Sequence, residues 1–267
     1  MKLFHLAISV TIYLLFWVVF TYLLVFLGGP VVSQYFVALP DLVKTVGNGP
    51  ELFSIPWLPA VIANALLIVA FGMQHSIMAR LGFKSLIVKF VPKSLERSVY
   101  VLATCVVLTW FYLAWQPIPT LVWQAQGETA YVLIGSFLLG AGLVLWSTFM
   151  ISHTQLFGIG QAWQAFTGKH QSPEQFITPA MYKFSRHPMY LGILIVFWST
   201  PIMTVGHLVA ASLFSIYVFI GIGYEERDLL RQFGDQYRDY MQRVPQLLPI
   251  GFKRQTRVEH DTSKVIS

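Results

Sequence analysis

Apolar residues in this chain gather into long blocks separated by short polar or basic stretches, with neither the period of a half-buried strand nor a narrow helical stripe. A hydrocarbon core about 30 Å thick takes roughly 20 apolar residues in a helix. Residues 3–27, 57–79, 99–115 and 129–151 therefore each predict one crossing helix. The first block is too long for the apolar stretch of a secretion leader and has no A-x-A site before Gly28-Gly29-Pro30, so it reads as a span. The fourth contains Gly135, Gly140 and Gly142, which permit close helix packing. A fifth block, residues 189–223, would form a helix of roughly 50 Å, too long for one crossing. Ser199-Thr200-Pro201 supplies a break, because proline lacks an amide donor and clashes with the preceding turn. Two short helices, 188–200 and 207–223, are predicted to pair as a hairpin. The predicted fold class is all-α, a polytopic transmembrane bundle of five to six membrane helices ending in a helical hairpin, with residues 1–267 forming one integral membrane domain.

Composition agrees with that pattern. The 267 residues are 55% hydrophobic and 11% charged, against about 25% charged in an ordinary soluble protein. The net charge of +6 does not point to nucleic acid, because the basic residues lie between apolar blocks and report topology instead. Arg80, Lys84, Lys89, Lys93 and Arg97 share one loop, and Lys169, Lys183 and Arg186 another, whereas residues 116–128 carry no basic residue and 28–56 only Lys44. The positive-inside rule places both basic loops and both termini in the cytoplasm. Cys105 is the only cysteine, so there is neither a disulfide framework nor a thiolate metal site.

The polar residues at helix ends are the chemical candidates. His75, His153 and His187 map to the cytoplasmic ends of their helices and His207 to the opposite side. Histidines are tolerated at interfacial helix ends without any function, and no H-x-x-x-H or H-E-x-x-H spacing suggests a metal. Arg186-His187 precedes one hairpin arm and Glu225-Glu226-Arg227-Asp228 follows the other, so a hairpin would let Arg186 meet Glu225. Charges at a membrane boundary suggest a functional site, although a belt of snorkelling charges reads equally well. The intervening loop, 152–185, is too long to be a mere connector, and its Gly158-x-Gly160 lacks the context of a phosphate cradle.

Four motifs in order carry a resemblance: Tyr182-x-x-Ser185-Arg186-His187-Pro188-Met189-Tyr190-x-Gly192, then Glu225-Glu226-Arg227-x-Leu229, then Phe233-Gly234-x-x-Tyr237-x-x-Tyr240, then Val244-Pro245-x-x-x-Pro249. This set resembles the isoprenylcysteine carboxyl methyltransferase superfamily of NnrU-like membrane proteins. Gln74-His75-Ser76-x-Met78-Ala79-Arg80, Glu96-Arg97-Ser98-x-Tyr100, Phe157-Gly158 with Gln161, and Thr200-Pro201-x-Met203-Thr204-Val205-Gly206-His207 are similar to the narrower group of bacterial methanethiol S-methyltransferases. The resemblance implies S-adenosylmethionine as cofactor, a methyltransferase core over residues 174–250, and cofactor contacts at Tyr182, His187, Pro188, Met189, Tyr190 and Glu225. It also implies methyl transfer to a small thiol, methanethiol giving dimethyl sulfide. The implied partners are that thiol and the bilayer, with no metal, no nucleic acid and no obligatory protein.

Where the prenyl enzymes carry an arginine toward their substrate's carboxylate, this chain has Gly221, which fits a small neutral acceptor. In-line methyl transfer relies on alignment, and the thiol must lose its proton to become the nucleophile. On the catalytic side the candidates are His153 and His75, as base or substrate-orienting groups, together with Arg186 and Glu226, which read as a structural pair. The competing readings are methylation of a prenylcysteine or other lipophilic acceptor, and a non-catalytic membrane protein that binds haem or another ligand through its histidines.

Overall fold

The computed structural model describes residues 1–35, 40, 42–169 and 176–248. Pro173, Pro249 and the tail beyond it lie outside the described residues. Among the described residues ten α-helices run in the order α1 (Lys2–Tyr35), α2 (Trp57–Ala79), α3 (Leu81–Ile87), α4 (Glu96–Ala114), α5 (Gly127–Ile151), α6 (His153–Leu156), α7 (Ile159–Thr167), α8 (Pro188–Trp198), α9 (Val205–Phe233) and α10 (Asp235–Arg243). Five of them, α1, α2, α4, α5 and α9, are long and apolar enough to cross a membrane. Their outward faces carry Leu14, Val18, Leu66, Val69, Val106, Leu139 and Phe219, all exposed. In water that much exposed apolar surface would drive aggregation; against lipid tails it is the expected outer face.

The break predicted near Pro201 is present, and the two arms differ from expectation. α8 stops at Trp198, and α9 is a continuous helix that carries Glu225 to Asp228 within it and ends only at Gly234, whose φ is +54°. Charged residues do not end a helix; they mark where it leaves the bilayer. α8 packs chiefly along α5 rather than along its hairpin neighbour. The two cross at Gly140 and Gly192, where a Cβ on either residue would come within 2.9 Å of the other's carbonyl oxygen. Gly135 and Gly142 make no such approach.

One departure from an all-helical chain lies between the helices. β1 (Leu121–Gln124) and β2 (Ile202–Thr204) form an antiparallel ribbon that ties the α4–α5 link to the α8–α9 link. The same end holds Lys44, buried, with its ammonium donating to the Leu113 carbonyl at the last turn of α4 at 2.7 Å. A cation there satisfies an orphan carbonyl and complements the helix dipole. Every other lysine and arginine among the described residues lies at the opposite, basic end of the bundle.

Candidate active site

Arg186, His187 and Glu226 form a buried clasp at the basic end. Arg186 Nε donates to Glu226 Oε1 at 2.8 Å, His187 Nε2 donates to the same oxygen at 3.0 Å, and Gln246 Nε2 reaches Oε2 at 3.4 Å. Arg186 Nη1 also donates to the Met241 and Val244 carbonyls, capping the end of α10. The backbone follows the side chains, with Arg186 N bonded to Pro245 O and His187 N to Gln246 O. The arginine therefore meets Glu226, not Glu225 as the hairpin geometry alone suggested. Successive helical residues point roughly 100° apart, so only one of two adjacent glutamates can face the α8 entry. With its guanidinium donating to three protein acceptors and its backbone amide to a fourth, Arg186 reads as a scaffold residue, and so does Glu226.

Glu225 projects from the neighbouring face of α9 into a different setting. Its carboxylate lies close enough to the Tyr190 hydroxyl and to Tyr182 for its charge to be felt at both. It makes no ion pair with Lys, Arg or His among the described residues. Tyr182 belongs to a single 3-10 turn, residues Ala180–Lys183, which is held by Tyr240 Oη donating to the Tyr182 carbonyl at 2.5 Å. Burial, and then the Glu225 carboxylate, push the Tyr182 phenol above its ordinary range, so it stays a proton donor. Pro188 opens α8 at its first turn, where a missing amide costs nothing, and Met189 follows it, half-buried. Tyr190 stands 5.6 Å from the His187 ring, within electrostatic range of Tyr217 and Tyr100. The sequence-predicted residues 182, 187–190 and 225 are thus brought together, around an unneutralised carboxylate flanked by two phenols.

The two histidine candidates sit in separate clusters. His75, on α2, has the Tyr100 hydroxyl 2.8 Å from Nε2 and 3.0 Å from Nδ1, and its ring lies against Phe71. The charge of Arg97 is felt at His75, with its guanidinium 4.5 Å above the Tyr100 ring and its Nε bonded to Leu156 O at 2.7 Å. From α9, Tyr217 faces the same space. Its hydroxyl is 3.1 Å from Ser76 Oγ, and its ring passes so close to Gly72 that a Cβ there would stand 3.0 Å away.

His153 is enclosed between α1 and α5. Phe149 stacks on it at 4.1 Å, and Trp17 and Phe157 close the sides. Thr148 Oγ1 donates to Leu145 O, so it accepts from His153 Nδ1 at 2.7 Å, which leaves Nε2 to accept from Tyr13 Oη at 2.8 Å. Both ring nitrogens are occupied. Burial pushes this imidazole below its ordinary 6.5. The unfolded chain then takes up this proton at a higher pH than the fold does, so stability is lost as pH falls from about 6.5. The thermal midpoint of the purified protein should drop as pH is lowered below about 6.5, and His153→Gln should remove part of that drop. An unchanged slope in the variant would show that His153 takes up its proton as readily in the fold as in the unfolded chain.

The rest of the long loop has structural work. Gly158, at φ +87°, brings the backbone against Ser98 so closely that any Cβ would collide, and Gly160 is covered by Gln155. His207 donates to Phe197 O at the far end. No group of three or more metal-binding side chains occurs among the described residues. Tyr13, Tyr217 and Gln246 were not singled out from sequence, and Arg97 stood out only as part of the basic loop and of the Glu96-Arg97-Ser98-x-Tyr100 motif. Tyr13 lies within a long apolar run, and Gln246 acts through contacts 20 and 59 positions away along the chain.

Residues 130–236 match the phospholipid methyltransferase family. The chain is 42% identical to methanethiol S-methyltransferase 1 of Bradyrhizobium diazoefficiens, over 90% of this chain and 80% of that protein. It is 46% identical to the methanethiol S-methyltransferase of Pseudomonas deceptionensis over 77% of this chain and 78% of that one. For the Mycobacterium tuberculosis protein of the same name the identity is 41%, over 89% and 92%. No solved structure matches.

Proposed function

The chain belongs to the methanethiol S-methyltransferase family, and from that membership we infer that it transfers the methyl group of S-adenosylmethionine to methanethiol, releasing dimethyl sulfide. The likeness over nine-tenths of the chain carries the reaction. The unneutralised Glu225 beside Tyr182 and Tyr190 supports the position of the co-substrate.

A sulfonium co-substrate is a cation that also bears an ammonium and ribose hydroxyls. Glu225 offers it a carboxylate without a basic competitor, and the Tyr182 and Tyr190 rings offer π faces to a sulfonium or to adenine. His187, Pro188 and Met189 supply a rigid wall, because the clasp with Glu226 fixes the start of α8. When bound, the co-substrate supplies an activated methyl group. The protein's part is to align the thiol and to take its proton.

For that proton, the geometry favours His75 over His153. Both nitrogens of His153 are committed to Thr148 and Tyr13, whereas the Tyr100 hydroxyl beside His75 lies within range of Tyr190 on the co-substrate side. A thiol proton taken by Tyr100 Oη, as Tyr100 passes its own to His75, leaves a thiolate nucleophile. The concentration of basic residues at this end supports a cytoplasmic placement of the site and of both termini.

The test is headspace analysis of cells that express the chain and are fed methanethiol. Dimethyl sulfide above the empty-vector level is expected. Purified protein given methyl-labelled S-adenosylmethionine should release volatile label with methanethiol and no base-labile ester with a prenylcysteine acid. The reverse result would move the acceptor to the lipophilic class.

A further inference from the structure

We propose that Arg97 is the cation that holds the thiolate, a role that rests on the methyl-transfer reading above. Arg97 is half-buried and makes no ion pair with a carboxylate among the described residues. A guanidinium kept from bulk water without an anionic partner is costly unless something in its function supplies the anion. Its position is fixed twice, by Nε donating to the Leu156 carbonyl and by stacking of the guanidinium on the Tyr100 ring. Neither contact uses the two terminal nitrogens, and neither neutralises the charge.

The place of the cation is what assigns the anion. Arg97 stands over the same ring whose hydroxyl touches His75, so positive charge and proton acceptor share one side chain as their platform. The ionisable groups facing that platform are His75 from α2, Tyr217 from α9 and Tyr190 from α8. A thiol delivered between Tyr100 and Tyr190 loses its proton toward Tyr100 and His75 while its sulfur becomes an anion next to the guanidinium. An opposite charge within about 4–6 Å lowers an acid's pKa by roughly 1–3 units. A simple alkyl thiol needs that help at neutral pH.

The balance of the step is simple. The new sulfur–carbon bond forms as the methyl leaves the sulfonium, whose sulfur keeps the electron pair and becomes a neutral thioether. The thiol's proton passes to His75 through Tyr100 and then to water.

The experiment compares wild type, Arg97→Gln and Arg97→Lys as purified full-length proteins, with methanethiol and with trifluoroethanethiol, a small thiol of greater acidity. For Arg97→Gln, kcat/KM with methanethiol near neutral pH is expected to fall roughly 10- to 100-fold, the size of a lost charge-assisted contact. The deficit should shrink by several-fold with the more acidic thiol and again as pH is raised, because either change ionises the nucleophile without the cation. Arg97→Lys should recover part of the rate. Affinity for S-adenosylhomocysteine, measured by calorimetry, should stay within about twofold of wild type, as expected when no charged contact to it is lost. An equal loss with both thiols at all pH values would make Arg97 a structural residue and overturn the proposal. A large loss of S-adenosylhomocysteine affinity would overturn it too, by assigning the guanidinium to the co-substrate's carboxylate. Wild type that makes no methylated product from either thiol would overturn the reaction itself, and this role with it.

Discussion

Glu225→Gln is expected to yield a folded protein that no longer makes dimethyl sulfide at a useful rate. The side chain is outside the clasp, pairs with no basic residue among the described ones and lies beside the Tyr190 hydroxyl. Glutamine keeps the shape and an acceptor oxygen and removes only the charge. If that charge holds the ammonium or ribose of S-adenosylmethionine, its loss should weaken S-adenosylhomocysteine binding by roughly 30-fold or more, in the range seen when one partner of a charged contact is removed. The thermal midpoint without ligand should change little. The decisive pair of measurements is calorimetric affinity and unliganded midpoint on one preparation. Headspace production at the wild-type rate would sink the assignment of Glu225 to the co-substrate.

The adjacent substitution should behave in the opposite way. Glu226→Ala strands Arg186 and His187, both buried or nearly so, and releases Gln246. Removing one member of a buried ion pair costs about 3–5 kcal/mol, a large part of the stability of an ordinary domain. The variant is expected to show a much lower thermal midpoint in detergent, and little of it should remain monodisperse. Arg186→Met combined with Glu226→Leu should recover some of that midpoint, because no charge is then left unpaired. Were Glu226→Ala to keep the wild-type midpoint and lose only turnover, Glu226 would belong to the chemistry rather than to the scaffold. Two neighbouring glutamates are thus expected to carry separable roles, and the separation would come from the roughly 100° between successive helical positions.

That phase relation also marks how much could be read from the chain. Hydropathy located the long helices because lipid imposes one coarse requirement, an apolar length, which short-range sequence satisfies by itself. The motifs around Arg186 and Glu225 identified which ends meet. Which glutamate faces Arg186 depends on the rotation of α9 about its axis, and the packing of Phe176, Leu229, Tyr237 and Tyr240 against one another defines the α9–α10 corner. The ribbon of β1 and β2 was not legible, since two segments of four and three residues with little alternation mean nothing until α5 and α8 bring them side by side. His153 looked like a chemical candidate because a polar residue past a span is conspicuous. Its enclosure comes from Tyr13, about 140 positions earlier and hidden within an apolar run.

The clasp also has a consequence for the order in which the protein can be made. Arg186 and His187 are tied through backbone and side chain to residues 241–246, which leave the ribosome after all the membrane-spanning helices. Until that segment emerges, the start of α8 has its bonds to Glu226 but lacks the ties to residues 241–246, and Glu226 lacks a partner for its second oxygen. A chain arrested during synthesis before residue 241 would therefore sit in the membrane with its bundle in place and no competent methyl-donor site. Activity is expected to be the last property this protein acquires during biogenesis.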